Sequence, residues 1–132
     1  MWEYYNPNPL ERKTSDCAIR AVAKALEITW EEAYAKLSAD GFTMGDLPNS
    51  NQVISAVLRT NGFYKMNIPN SCPDCYTFED FCRDNPLGRF VLGTGTHVAC
   101  IVNGVIYDTW DSSDMIPVYV FYKDVEPRIK EV

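Results

Sequence analysis

Three side chains in this sequence could share a proton and an electron pair: Cys17, the sole histidine His97, and Asp108. A thiol becomes a nucleophile when a base takes its proton, and an imidazole serves best when a carboxylate fixes its tautomer. His97 and Asp108 lie in one stretch, Thr96-His-Val-Ala-Cys-Ile-Val-Asn-Gly-Val-Ile-Tyr-Asp-Thr-Trp110. There Asn103-Gly104 separates two β-branched runs, the pattern of a hairpin with a type I′ turn. That turn sets Val102 opposite Val105, Ile101 opposite Ile106, Ala99 opposite Asp108 and His97 opposite Trp110. Strand side chains alternate faces, so His97, Ala99, Ile106, Asp108 and Trp110 are expected on one side of the sheet. His97 and Asp108 then become diagonal neighbours within side-chain reach, with the indole of Trp110 over both. The competing reading is a half-buried histidine paired with a surface acid.

Cys17 follows Thr14-Ser15-Asp16, a group of N-cap residues, and precedes Ala18, Ile19, Ala21, Val22, Ala25 and Leu26 at helical spacing. It is therefore expected in the first turn of a small-residue helix, where the helix dipole favours thiolate. The alternative is a buried structural cysteine. Asp16 next door opposes a second negative charge unless it turns away to cap the helix. The other thiols compete less well. Cys82 sits beside Phe81, and Cys100 has the opposite strand parity to His97. Cys72-Pro-Asp-Cys75 is half a zinc site with no second pair to complete it, so neither metal nor cofactor is expected.

The remaining elements must position these groups. Met1 to Pro9 is an aromatic, proline-punctuated leader that cannot be a helix and is expected to lie across the surface. Thr29-Trp-Glu-Glu32 is a capping box for a second helix running to about Ala39 and stopped by Asp40-Gly41. A loop from Phe42 to Ser50 leads to a third helix, capped by Asn49 or Ser50 and closed by Asn61-Gly62. Phe63 to Ile68 reads as a short strand, and Thr77-Phe-Glu-Asp80 caps a short helix ending at Asn85-Pro86. Arg89 to Leu92, the hairpin, and Ile116 to Tyr122 read as strands. Helices first and an antiparallel sheet afterwards make an α+β domain, expected to occupy residues 1–132 as one unit.

Composition narrows the partners. A formal net charge of −6 argues against a nucleic-acid surface, which needs clustered Lys and Arg. No apolar run approaches the ~18 residues of a membrane span, and no cleavable leader is recognisable. Five cysteines without framework spacing are read as reduced thiols in a cytoplasmic protein.

Cysteine at a helix start, then histidine, then an acid on the next strand is the order of papain-like enzymes, and the resemblance extends to local motifs. Asp108-Thr-Trp110 resembles the Asn-Ser-Trp of papain, in which the amide orients the histidine and the tryptophan covers that contact. Asp16-Cys17 is similar to the Asp-Cys of the peptidases that trim double-glycine leaders from bacteriocins. The chain from Asn6-Pro-Asn-Pro9 through Asp16-Cys-Ala-Ile-Arg-Ala21 to Gly95-Thr-His-Val98 and Tyr107-Asp-Thr-Trp-Asp111 also resembles small papain-fold proteins of phages and bacteria. The resemblance implies a papain-like fold and a thiol hydrolase cleaving a peptide, isopeptide or amide bond of a protein or peptide substrate. In it Cys17 is the nucleophile, His97 the base, Asp108 the orienting acid and Trp110 their cover.

One position departs from the pattern. Glu11 stands where papain-like enzymes carry an oxyanion-binding glutamine, so Asn8, Asn6, Ser15 or the backbone amide of Cys17 must take that role. Ala18 follows the cysteine where the leader peptidases have glycine. Two further readings use the same parts: an acyl transferase, and a papain-fold binding module without catalysis, which Glu11 and the small size favour. If the triad operates, Asp108→Asn is expected to keep part of the activity, because an amide can also orient the ring.

Overall fold

The computed structural model describes residues 1–69 and 75–129. Four helices and six strands lie among them: β1 (Trp2–Tyr4), α1 (Cys17–Leu26), α2 (Trp30–Met44), α3 (Asn51–Thr60), β2 (Tyr64–Asn67), α4 (Phe78–Asp84), β3 (Arg89–Gly93), β4 (Val98–Val102), β5 (Val105–Asp108) and β6 (Tyr119–Tyr122). The strands form one sheet in the order β1-β5-β4-β3-β6-β2. The domain is mixed α+β.

Local chemistry accounts for the element ends. Thr29 and Glu32 exchange side-chain and backbone hydrogen bonds in a capping box, as do Thr77 and Asp80, while Ser50 caps α3 through the Val53 N–H. Asn103 and Gly104 take positive φ and close the β4–β5 hairpin, with Val102 opposite Val105 and Ile101 opposite Ile106.

Period-two alternation then feeds two cores. Val91, Val98, Cys100 and Phe121 face α1, α2 and α3, whereas Phe90, Leu92, Ala99, Ile101, Ile106 and Val120 face Phe78 and Phe81 of α4. Each fully buried phenylalanine contributes about 1.5–3 kcal/mol of transfer free energy. On α1 the inner positions are Ala18, Ala21 and Ala25, so the helix lies close against the sheet and its first residue, Cys17, reaches the end of β4.

Four expectations are corrected. The leader supplies a strand: β1 pairs in parallel with β5, so the sheet is mixed rather than purely antiparallel. Its strong signal against helix did not exclude extended pairing at a sheet edge. Helix α2 passes through Gly41 and ends at Gly45, whose φ of 69° gives the left-handed stop. Gly41 is buried within the helix, and the following segment packs on it so closely that an added Cβ would lie 2.8 Å from the Asp46 carbonyl oxygen. The last strand begins only at Tyr119. Finally, Cys75 is disulfide-bonded, against the expectation of five reduced thiols, while Cys17, Cys82 and Cys100 are free. Cys72 lies outside the described residues. Among those residues no helix is long and apolar enough to cross a membrane, and no group of three His, Cys, Asp or Glu side chains could hold a metal ion.

Candidate active site

His97 is placed by a turn, not by the strand it was expected to occupy, since β4 starts one residue later. Thr94 Oγ1 accepts from the backbone N–H groups of Thr96 and His97 (3.2 and 3.0 Å), and the Thr94 N–H donates to the His97 carbonyl (2.9 Å). The turn is also tied to α3: Asn51 Nδ2 donates to the Gly95 carbonyl (2.8 Å) and accepts, through Oδ1, from the Tyr119 hydroxyl (2.9 Å). Tyr119 lies across Gly93, where an added Cβ would come within 2.1 Å of its ring. These supports span separate elements and carry no sequence signal.

From this turn His97 Nε2 meets Asp108 Oδ2 at 2.7 Å. The ladder between β4 and β5 ends at Cys100 opposite Tyr107, so the contact is made by side chains beyond the paired backbone. Trp110 stacks on the imidazole at 4.9 Å between ring centroids, tilted by 46°, and is itself 42% exposed. It covers one side of the histidine and leaves its own outer face to the solvent. The other ring nitrogen is left for Cys17, which is hydrogen-bonded to His97.

Asp108 is almost wholly buried, and every acceptor position is used. Its Oδ2 also accepts from the buried Ser112 hydroxyl (2.8 Å); its Oδ1 accepts from the Thr109 N–H (2.8 Å) and from Arg20 Nη2 (3.0 Å). Its carbonyl accepts from the Tyr5 N–H (2.8 Å) and the Trp2 indole (3.2 Å), so the N-terminal strand braces the acid from outside. Asp16 does not cap α1 with its side chain. It pairs with Arg20 through Oδ1 and accepts from Trp30 Nε1 through Oδ2 (2.9 Å). Sequence reasoning missed Arg20 and Ser112. An arginine one turn after Cys17 and four residues after an acid was the available signal for the first.

The charges therefore alternate along Asp16, Arg20, Asp108, His97 and Cys17. Burial alone would push the Cys17 thiol up, but the His97 hydrogen bond, the Val98 N–H and the charges of His97 and Arg20 bring it below its ordinary value. Burial would likewise lower His97, yet its bonds to Asp108 and Cys17, with their negative charges, raise it to about 9. Asp108 loses to burial and gains more from His97, Ser112 and Thr109, which hold it below the usual carboxylate range. The other free thiols go the opposite way: burial pushes Cys82 up to about 11 and Cys100 up to about 12. Of the free thiols among the described residues, only Cys17 is shifted toward the thiolate, and it lies beside an imidazole shifted toward its cation.

These shifts set how stability follows pH. His97 contributes stability that is complete below the ordinary histidine value (~6.5) and lost as pH rises through about 9. Cys17 contributes stability present above the ordinary thiol value (~8.5) and lost as pH falls through its own lowered value. Between ~6.5 and ~8.5 the two slopes oppose each other. Cys17→Ala removes the opposing slope together with the Cys17 share of the histidine's raised value, while the Asp108 bond still holds that value above the ordinary one; the variant's stability is expected to fall as pH rises above ~6.5, by at most about 1.4 kcal/mol per pH unit. Denaturant melts at three pH values check this; the same profile for variant and wild type would mean that the pair is neutral.

Cys17 and His97 open on a cleft of about 510 Å³, which Lys13, Ser15, Thr96, Thr109 and Trp110 also line. Glu11 is exposed at a φ of 54° and does not line it. Neither does Asn8, whose Oδ1 accepts from the Leu10 N–H, nor Asn6, whose Nδ2 donates to the Arg12 carbonyl. Of the side chains considered for oxyanion binding, only Ser15 lies in the wall. Compared with known protein families, curated proteins and solved structures, the chain matches none.

Proposed function

We propose that this protein is a papain-like cysteine hydrolase acting on a peptide, isopeptide or amide bond. The observation that carries this reading is the relay from Asp108 through His97 to Cys17 at the start of α1, open to a cleft on the thiol side. His97 takes the Cys17 proton, and Asp108 holds the ring with its Nε2 proton toward the carboxylate. The thiolate attacks the carbonyl carbon and the oxygen gains charge. The N–H groups of the first turn of α1 have no preceding helical carbonyl to bond and receive that charge, and Ser15 lines the same cleft. His97 protonates the leaving amine, the thioester forms, and water activated by the same imidazole cleaves it. Lys13 and Trp110, both exposed, line the cleft that a peptide would enter.

A peptide library bearing a carboxyl-terminal electrophile tests the proposal. Modification is expected at Cys17 ahead of Cys82 and Cys100, with Cys17→Ser unlabelled and peptide amides turned over by the wild type. Labelling with no hydrolysis of peptide amides, but with acyl groups passed to added amines, would make it an acyl transferase. No labelling of Cys17 and no turnover would leave a binding module.

A further inference from the structure

Arg20 is 4% exposed and carries its charge between two buried carboxylates. Its Nη1 pairs with Asp16 and reaches toward the Thr14 carbonyl (3.4 Å), and its Nη2 donates to Asp108 Oδ1 (3.0 Å). Asp16 precedes Cys17 in the chain, whereas Asp108 ends β5. One rigid fork therefore links the start of the nucleophile's helix to the strand that carries the acid. A carboxylate whose Oδ1 is gripped this way cannot rotate about its own axis, so Oδ2 stays on His97 and Ser112.

We infer that Arg20 is a positioning residue of the site, registering Cys17 against His97 by clamping Asp16 and Asp108 together. The inference rests on the hydrolase reading. A lysine cannot replace the fork, because its single ammonium group lacks the two divergent donor rows that reach both acids at once. Among the described residues, the Tyr5 hydroxyl from the leader and Cys17 from its own helix also feel this guanidinium's charge, and Trp30 of α2 holds the far oxygen of Asp16.

The test is the pH dependence of Cys17 alkylation by iodoacetamide, which needs no substrate. The wild type is expected to react well below the ordinary thiol range, and Arg20→Lys to move that acid limb upward by about one pH unit, slowing the reaction at low pH about tenfold. A merely structural arginine would change melting temperature and leave the limb of the folded protein in place. Should Arg20→Lys fail to fold, Asp16→Asn/Arg20→Met removes one cation and one anion together and is expected to show the raised limb. A wild-type limb in folded Arg20→Lys, or in folded Asp16→Asn/Arg20→Met, overturns the inference. His97→Ala separates the two levels: if it leaves the wild-type limb unchanged, the hydrolase reading itself has failed, whatever the arginine does.

Discussion

Replacing His97 by alanine is expected to abolish turnover, by about 10⁴-fold or more, and to send Cys17 back to ordinary thiol behaviour. No second histidine exists in the chain to take over as base. Without it, burial is the dominant influence on the thiol, and burial pushes the pKa up. The Val98 N–H and the Arg20 charge remain, but the arginine is already paired with Asp16 and Asp108. At about pH 6 an unperturbed thiol is well under ~1% ionised, so alkylation of Cys17 should fall to the rate of an unactivated cysteine. The measurement is the alkylation rate from acid to alkaline pH in wild type and variant. A variant that keeps the wild-type profile would show that the helix start alone activates the thiol and that His97 is packing. Stability offers a second reading, since the loss of wild-type stability as pH rises through about 9 should vanish with the imidazole.

Asp108→Asn is expected to fold and yet lose about 10³–10⁴ in kcat, the scale of a misplaced tautomer in a triad. The reason is the demand on each oxygen. Oδ1 accepts from Arg20 and from the Thr109 N–H, both fixed donors, one of them charged. An amide NH₂ there would face two donors in a buried site, at a cost of about 1–3 kcal/mol or more. The amide therefore turns its oxygen to Arg20 and its NH₂ to Ser112 and His97. The Ser112 hydroxyl can rotate to accept, but His97 Nε2 must then be the bare nitrogen. The ring proton moves to Nδ1, toward Cys17, so the nitrogen that faces the thiol is already protonated and cannot accept its proton. The expectation from the Asn-Ser-Trp resemblance, that an amide preserves part of the activity, is reversed by the arginine on the far side. Turnover of a peptide amide by Asp108→Asn within about tenfold of wild type would contradict this account. So would ring-nitrogen spectra showing the proton still at Nε2.

What could be read along the chain were features decided within a few residues. Asn103-Gly104 forces its turn because few other pairs tolerate positive φ twice, and this brought His97 and Asp108 to one end of one hairpin. Thr29 and Thr77 start their helices through partners three residues on, and the cap cluster before Cys17 put the thiol at a helix start. Such bonds close over short loops, so the residue types alone predict them. Alternation and helical spacing gave the α+β class in the same way.

The tertiary structure decided whatever depended on residues distant in sequence. That the leader would pair with β5 and brace the Asp108 carbonyl required knowing which edge of the sheet was vacant. Gly41 reads as a helix stop until the Asp46 carbonyl is found packed where its Cβ would be. The role of Asp16 changed most. Beside a helix start it reads as a cap, and as a cap it would be a solvated charge of small effect on the neighbouring thiol. In the fold it is buried, and a buried carboxylate is stable only with a counter-charge. Arg20 supplies that charge and reaches on to Asp108, 88 residues away, so the energy of one acid cannot be assigned without the other. No local rule relates those two positions, because the interaction exists only once α1 lies on the sheet.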